Sequence, residues 1–161
     1  MASSGVSVSP ECISVFNELK LGKDLKWIVY MIADNGKEIV VEHTEKKSDA
    51  SQEEQWNAFR EFLVNSKTKN KAGKEGPGAR YAIYDVEYDA PGGSYGEGTR
   101  NKIAFLSWIP DNLAPWPKMV YSSSKDAIKR SLNGVATDIQ ANDESDIEFE
   151  SIISNIQKGR F

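Results

Sequence analysis

Tyr81-Ala82-Ile83-Tyr84-Asp85-Val86-Glu87-Tyr88 is the stretch whose reading decides the fold class. Its aromatic and β-branched content predicts a strand, and alternation of side chains divides it by parity. Ala82, Tyr84, Val86 and Tyr88 share an apolar face, while Asp85 and Glu87 lie on the other, which reads as the wet side. Before it, Trp27 to Ile32 predicts a strand, Asp34-Asn35-Gly36 a hairpin turn and Ile39-Val40-Val41 the return strand. After it, a Gly-rich turn from Pro91 to Gly98 leads to a strand over Lys102 to Trp108. Val135 to Ile139 predicts a short strand further on.

Helices fall between these strands. Ser9-Pro10-Glu11 opens one with Cys12, Phe16 and Leu19 at helical spacing and Ile13 alongside. Ser51 to about Val64 carries Trp56, Phe59, Phe62 and Leu63 on one face. A third runs from about Lys118 to Leu132 and is closed by Asn133-Gly134, glycine tolerating the left-handed cap. The last carries Phe149, Ile152, Ile153 and Ile156, with Asp143, Glu144, Asp146 and Glu148 near its start. The order αββαββαβα predicts one α+β (α/β-like) domain over residues 1–161, a sheet covered by helices. Residues 1–8 read as a flexible N-terminus. Residues 66–79, with Lys67, Lys69, Lys71 and Lys74 among Gly, Asn and Pro, read as a long basic flexible loop, not a folded element.

Composition narrows the function classes. A chain of 161 residues with 39% hydrophobic residues fits one domain with a sizeable core. The single cysteine forbids an intrachain disulfide and favours a reducing compartment. The first residues lack the basic and apolar regions of a signal peptide, and no run approaches the roughly 18–20 apolar residues of a membrane span. A net charge of −4 argues against a general nucleic-acid binder.

Groups for catalysis are scarce. His43 is the only histidine, on a strand, without a nucleophile at motif spacing. One His and one Cys cannot supply a usual zinc site, and Cys12 reads as a core thiol. Gly73 to Gly78 lacks the order of a phosphate-binding loop, and Gly92 to Gly98 lies between two strands without a following helix. Asp85, Glu87 and Asp89 read as a solvated strand face more readily than as a cation site. An enzyme is therefore not expected, and neither a metal nor a cofactor.

The helix over 118–132 is different. At about 100° per residue, Lys118, Lys125 and Lys129 fall in one sector with Ser122. Val120, Tyr121, Ser124, Ala127 and Ile128 fall in another that must face the sheet. Met119 and Asp126 flank the basic stripe. A solvated helix face explains charges alone, but a ridge mixing cations with flexible apolar contact suits a protein surface better than bare phosphates.

At this helix the sequence resembles the actin-depolymerising ADF/cofilin family. The match runs from Lys118-Met119-Val120-Tyr121 through Ser123-Ser124-Lys125-Asp126-Ala127 to Leu132-Asn133-Gly134. Ser4-Gly5-Val6, Phe16-Asn17-Glu18-Leu19-Lys20, Tyr81-Ala82-Ile83-Tyr84-Asp85 and Trp108-Ile109-Pro110-Asp111 also fit. The resemblance implies one ADF-homology domain with a mixed sheet of about five strands between helices. It implies a monomer that binds actin monomers and filaments, prefers ADP-actin, severs, and works in the cytoplasmic cytoskeleton, with nuclear access left open. The monomer-and-filament site maps to Ser4, Gly5, Val6, Lys118, Met119, Lys125, Asp126, Lys129 and Arg130. The filament-only site maps to Arg100, Lys102 and Lys158. Ser4 matches the family's inhibitory phosphorylation site, where a phosphate would add about −1.5 to −2 charges beside an acidic partner. The ridge also suits anionic phosphoinositide headgroups. Ser154 and Asn155 stand where charges are common, which keeps a non-severing, coactosin-like module open, and Trp116-Pro117 replaces a basic residue. The 66–79 segment reads as a solvated insertion or as a basic element for nuclear import or lipid contact.

Overall fold

The computed structural model describes residues 6–22, 24–33, 36–89 and 99–157. A six-stranded mixed sheet forms its centre: β1 (Ser7–Val8), β2 (Leu25–Ile32), β3 (Glu38–Lys46), β6 (Arg80–Asp89), β7 (Thr99–Trp108) and β8 (Thr137–Ala141). Its order is β1-β3-β2-β6-β7-β8, antiparallel in the middle, with β1 and β8 pairing parallel at the two edges. β4 (Lys67–Lys69) and β5 (Glu75–Pro77) form a separate two-stranded hairpin. The helices are α1 (Pro10–Gly22), α2 (Gln52–Val64), α3 (Pro115–Ser131) and α4 (Phe149–Gln157).

Strand parity sorts the core into two layers. Ile28, Tyr30, Tyr81, Ile83 and Phe105 pack with Cys12, Phe16 and Leu19 of α1 and with Tyr121 and Ile128 of α3. Trp27, Val29, Ala82, Tyr84, Val86 and Leu106 face Trp56, Phe59 and Leu63 of α2 and Ile152 and Ile156 of α4. β6 therefore has no wet face along most of its length, because helices cover both sides of a central strand. Asp85 is only 8% exposed; Lys47 lies 3.3 Å from one oxygen and the Asn101 amide donates to the other at 3.1 Å. Lys26 is buried nearby, donating to Gln52 at 2.8 Å and sitting 5.3 Å from the Tyr84 ring. Burial pushes its pKa down, and Asp85 and Glu87 partly oppose that.

Several boundaries shift for local reasons. α3 begins at Pro115 because first-turn N–H groups lack intrahelical partners, so Pro115 and Pro117 forfeit nothing there. Gly134 takes φ 107° after it, and the Lys20 ammonium of α1 bonds the Asn133 carbonyl at 2.7 Å. A 3-10 turn over Glu144–Ile147 precedes α4, and the Asp143 carboxylate caps that turn by accepting from the Ser145 N–H at 2.7 Å. Those bonds hold the Asp143 carboxyl below its usual range. Ser51 caps α2, accepting from the Glu54 N–H. Ile13 points outward from α1, at 37% exposure.

Residues from both segments read as flexible pair into strands. Ser7 and Val8 add to the edge of β3, with the Ser7 and Ser9 N–H groups donating to Lys37 and Ile39 carbonyls at 3.0 Å. Most of the 66–79 segment is the β4–β5 hairpin. Its turn forms because the Asn70 carboxamide accepts from the Ala72 and Lys74 N–H groups, both at 2.9 Å, and Gly73 supplies φ 85°.

Candidate functional site

α3 lies across one face of the sheet and is fixed by its buried side. Tyr121 accepts from the Ile32 N–H at 2.9 Å, and the Tyr81 hydroxyl donates to the Tyr121 carbonyl. Burial pushes the Tyr121 phenol pKa up. Pro117, Ser124 and Ile128 complete the buried stripe, while Val120 and Ala127 sit half-buried on its rim.

The opposite side forms a crest. Met119 is 59% exposed, and Lys118, Asp126 and Arg130 are exposed around it. Lys118 makes no ion pair among the described residues. Lys125 and Lys129, one helical turn apart, converge instead on Asp138 of β8. Lys129 Nζ donates to Asp138 Oδ2 at 2.5 Å, and Lys125 Nζ lies 3.4 Å from Oδ1 as an ion pair without a hydrogen bond. The Asp138 contact pushes the Lys129 pKa up. Helix periodicity had no way to find Asp138. An acid on a neighbouring edge strand was the only signal, and which strand neighbours α3 is a tertiary fact.

Val6 is buried in the α1/α3 layer and so fastens the N-terminal segment beside β3. Ser4, Gly5 and Lys158 lie outside the described residues. On the other side of the sheet, Lys102 stands opposite Val86, half-buried, sharing parity with Ala104 and Leu106 of the α2/α4 layer. Arg100, on the same strand as Lys102, pairs through its backbone with Tyr88 of β6. Ser154 and Asn155 are half-buried on α4. Among the described residues, the α3 members of the first group therefore stand over one face of the sheet, and Lys102 of β7 shares the parity of the other.

Among the described residues no group of His, Cys, Asp and Glu could hold a metal ion. His43 stacks on Phe62 at 5.0 Å and lies 2.8 Å from Glu45, and the Cys12 thiol is buried with its pKa pushed up by desolvation. Residues 92–98 lie outside the described residues. No described helix is long and apolar enough to cross a membrane.

A family model described as cofilin/tropomyosin-type actin-binding protein matches residues 5–157. A cofilin of Gibberella zeae is 49% identical over 159 residues, covering 99% of this chain and 98% of that protein. Among solved structures, Plasmodium berghei actin depolymerization factor 2 superposes with a TM-score of 0.78 at 31% identity, covering 96% of this chain and 99% of that one. Human coactosin-like protein shares the fold at a TM-score of 0.67 but only 16% identity, over 99% of this chain and 93% of that one.

Proposed function

The chain belongs to the ADF/cofilin family of actin-binding proteins, and from that premise we infer that it binds actin monomers and filaments through the α3 crest and severs filaments. One observation carries the reading: Met119 stands exposed beside Lys118, which makes no ion pair among the described residues, on a helix whose other side is locked to the sheet by Tyr81 and Tyr121. A flexible apolar side chain flanked by cations fits an apolar cleft with an acidic rim. The fixed helix means little order is lost on docking. Lys125 and Lys129 join by exchanging Asp138 for acidic groups of the partner.

Lys102, on the opposite sheet face, supports a second contact available only where a filament presents two actin subunits. Preference for ADP-actin comes from the family premise. Co-sedimentation with preformed filaments, followed by imaging of filament lengths, tests the reading. Wild-type protein should pellet with actin and shorten filaments. Lys118→Ala with Lys125→Ala should lower monomer affinity by about tenfold or more, while Arg100→Ala with Lys102→Ala should spare it. Binding without shortening would favour the non-severing alternative that Ser154 and Asn155 keep open. Equal effects of both double variants would refute the division into two sites.

A further inference from the structure

The β4–β5 hairpin is held in place far more firmly than a solvated insertion requires. A two-stranded hairpin is marginal in water by itself, and this one is pinned at its base by a buried arginine. Arg80, 3% exposed, donates to the Lys67 carbonyl at 2.7 Å and to the Thr68 hydroxyl at 2.8 Å. Its Nε meets Glu42 of β3 at 2.6 Å. The Thr68 hydroxyl in turn accepts from the Ala79 N–H at 3.1 Å. Gly78 closes the base: a Cβ there would come within 2.6 Å of Ser66, so only glycine lets the two strands leave α2 and enter β6 side by side.

This rigid arm stands next to α3. Thr68 and Lys69 line one small depression together with Trp116, Pro117 and Val120 of the helix. Trp116 and Val120 fall on the flank of α3 opposite the basic stripe, so the exposed Met119 has cations on both sides. Lys118 with Lys125 and Lys129 lies on one side, and the hairpin on the other. Lys67, Lys69, Lys71 and Lys74 are all exposed, against a single exposed acid, Glu75.

We propose that the hairpin is a further actin-contacting arm: Lys69, Lys71 and Lys74 reach an acidic surface on the same actin subunit that receives α3, and accelerate its capture. This rests on the actin-binding reading above. Continuity with the α3 crest argues for that partner. The chain as a whole is acidic, at −4, so a flat anionic membrane or a nucleic acid would gain the hairpin while meeting repulsion from much of the remaining surface. Rim charges of this kind act chiefly on association rate and on its salt dependence.

The test is stopped-flow association with actin monomers at low and high salt, comparing wild type with Lys69→Glu, Lys71→Glu and Lys74→Glu combined. The expected result is an association rate about tenfold lower at low salt, converging with wild type at high salt, with dissociation changed less than about twofold. The matching three Lys→Gln changes should fall between the two. Lys71 and Lys74 are exposed in the turn, whereas Lys69 pairs across the hairpin with Glu75, so reversing it sets like charges opposite each other. The double variant Lys71→Glu with Lys74→Glu, whose thermal melting should not move, is the folding control. Equal association rates at low salt would overturn the arm. So would a loss confined to anionic vesicles or to RNA with actin capture intact, which would assign the hairpin to that partner instead. If wild type binds actin and Lys118→Ala with Lys125→Ala weakens it while the hairpin reversal changes nothing, only the arm fails. If wild type does not bind actin, the underlying reading fails with it.

Discussion

On the α2/α4 face of the sheet, Trp27, Trp56, Phe59 and Tyr84 pack ring against ring at 4.7–5.2 Å between centroids. On the α1/α3 face, two tyrosines instead tie a helix down through hydroxyl and carbonyl groups. The first arrangement buries large area and tolerates small shifts. The second fixes the helix in one position, because hydrogen bonds fail within fractions of an ångström. The face with the directional bonds is the one that carries the crest, and its outer surface is left polar, with two of its lysines engaged by Asp138. Both sides of the sheet bury an extensive core, and the α1/α3 side adds the directional bonds that position α3 for a partner.

The largest effect should come from breaking the aromatic side. Trp56 is 1% exposed, and its indole N–H donates to the Ile147 carbonyl at 2.7 Å. Trp56→Ala should cost about 3–5 kcal/mol in chemical unfolding, while the actin affinity of the molecules that remain folded stays at the wild-type value. A comparable loss of affinity per folded molecule would mean that the two faces are not separable.

A smaller effect sharpens the other side. Asp138→Asn removes the internal acid that Lys125 and Lys129 share, and raises the positive potential of the crest. Monomer affinity at low salt should rise about three- to fivefold with a steeper salt dependence, and stability should change by less than about 1 kcal/mol, since both pairs are half-exposed. Weakened binding would show that Asp138 aims the lysines instead of competing for them.

The smallest expected effect concerns Cys12, at the heart of the α1/α3 layer. Desolvation raises its folded pKa above the ordinary value of 9.0. The folded state therefore keeps the proton longer than the unfolded chain does. Its contribution is intact well below the ordinary thiol value and is lost progressively as pH rises through that value towards the raised folded one. Urea midpoints followed upward from neutral pH should fall more steeply for wild type than for Cys12→Ala. Parallel slopes would mean that the thiol ionises freely in the folded protein.

Local pattern made much of this legible. Periodicity marked Cys12, Phe16 and Leu19 as the buried side of α1, and Trp56, Phe59 and Leu63 as that of α2, because those spacings are properties of a helix and need no partner. It also separated the cations of α3 from Tyr121, Ser124 and Ile128. The order of the 66–79 segment comes from outside itself, so no local pattern announces the hairpin. Its lysines and glycines have no periodic face, and the Arg80–Thr68 contact that fastens it joins residues twelve positions apart in sequence.

By itself, then, the sequence determined the helices, their buried faces, the basic crest and the resemblance to actin-binding relatives, since each depends on residues within a few positions of one another. Only the tertiary structure decided that Asp85 is buried and paired, that Val6 anchors an edge strand, that Asp138 holds two crest lysines, and that a basic hairpin stands beside α3. Each of these is a contact between segments brought together by the sheet order. Strand order follows from how two helical layers share one sheet, which is a property of the packed chain and of no segment within it.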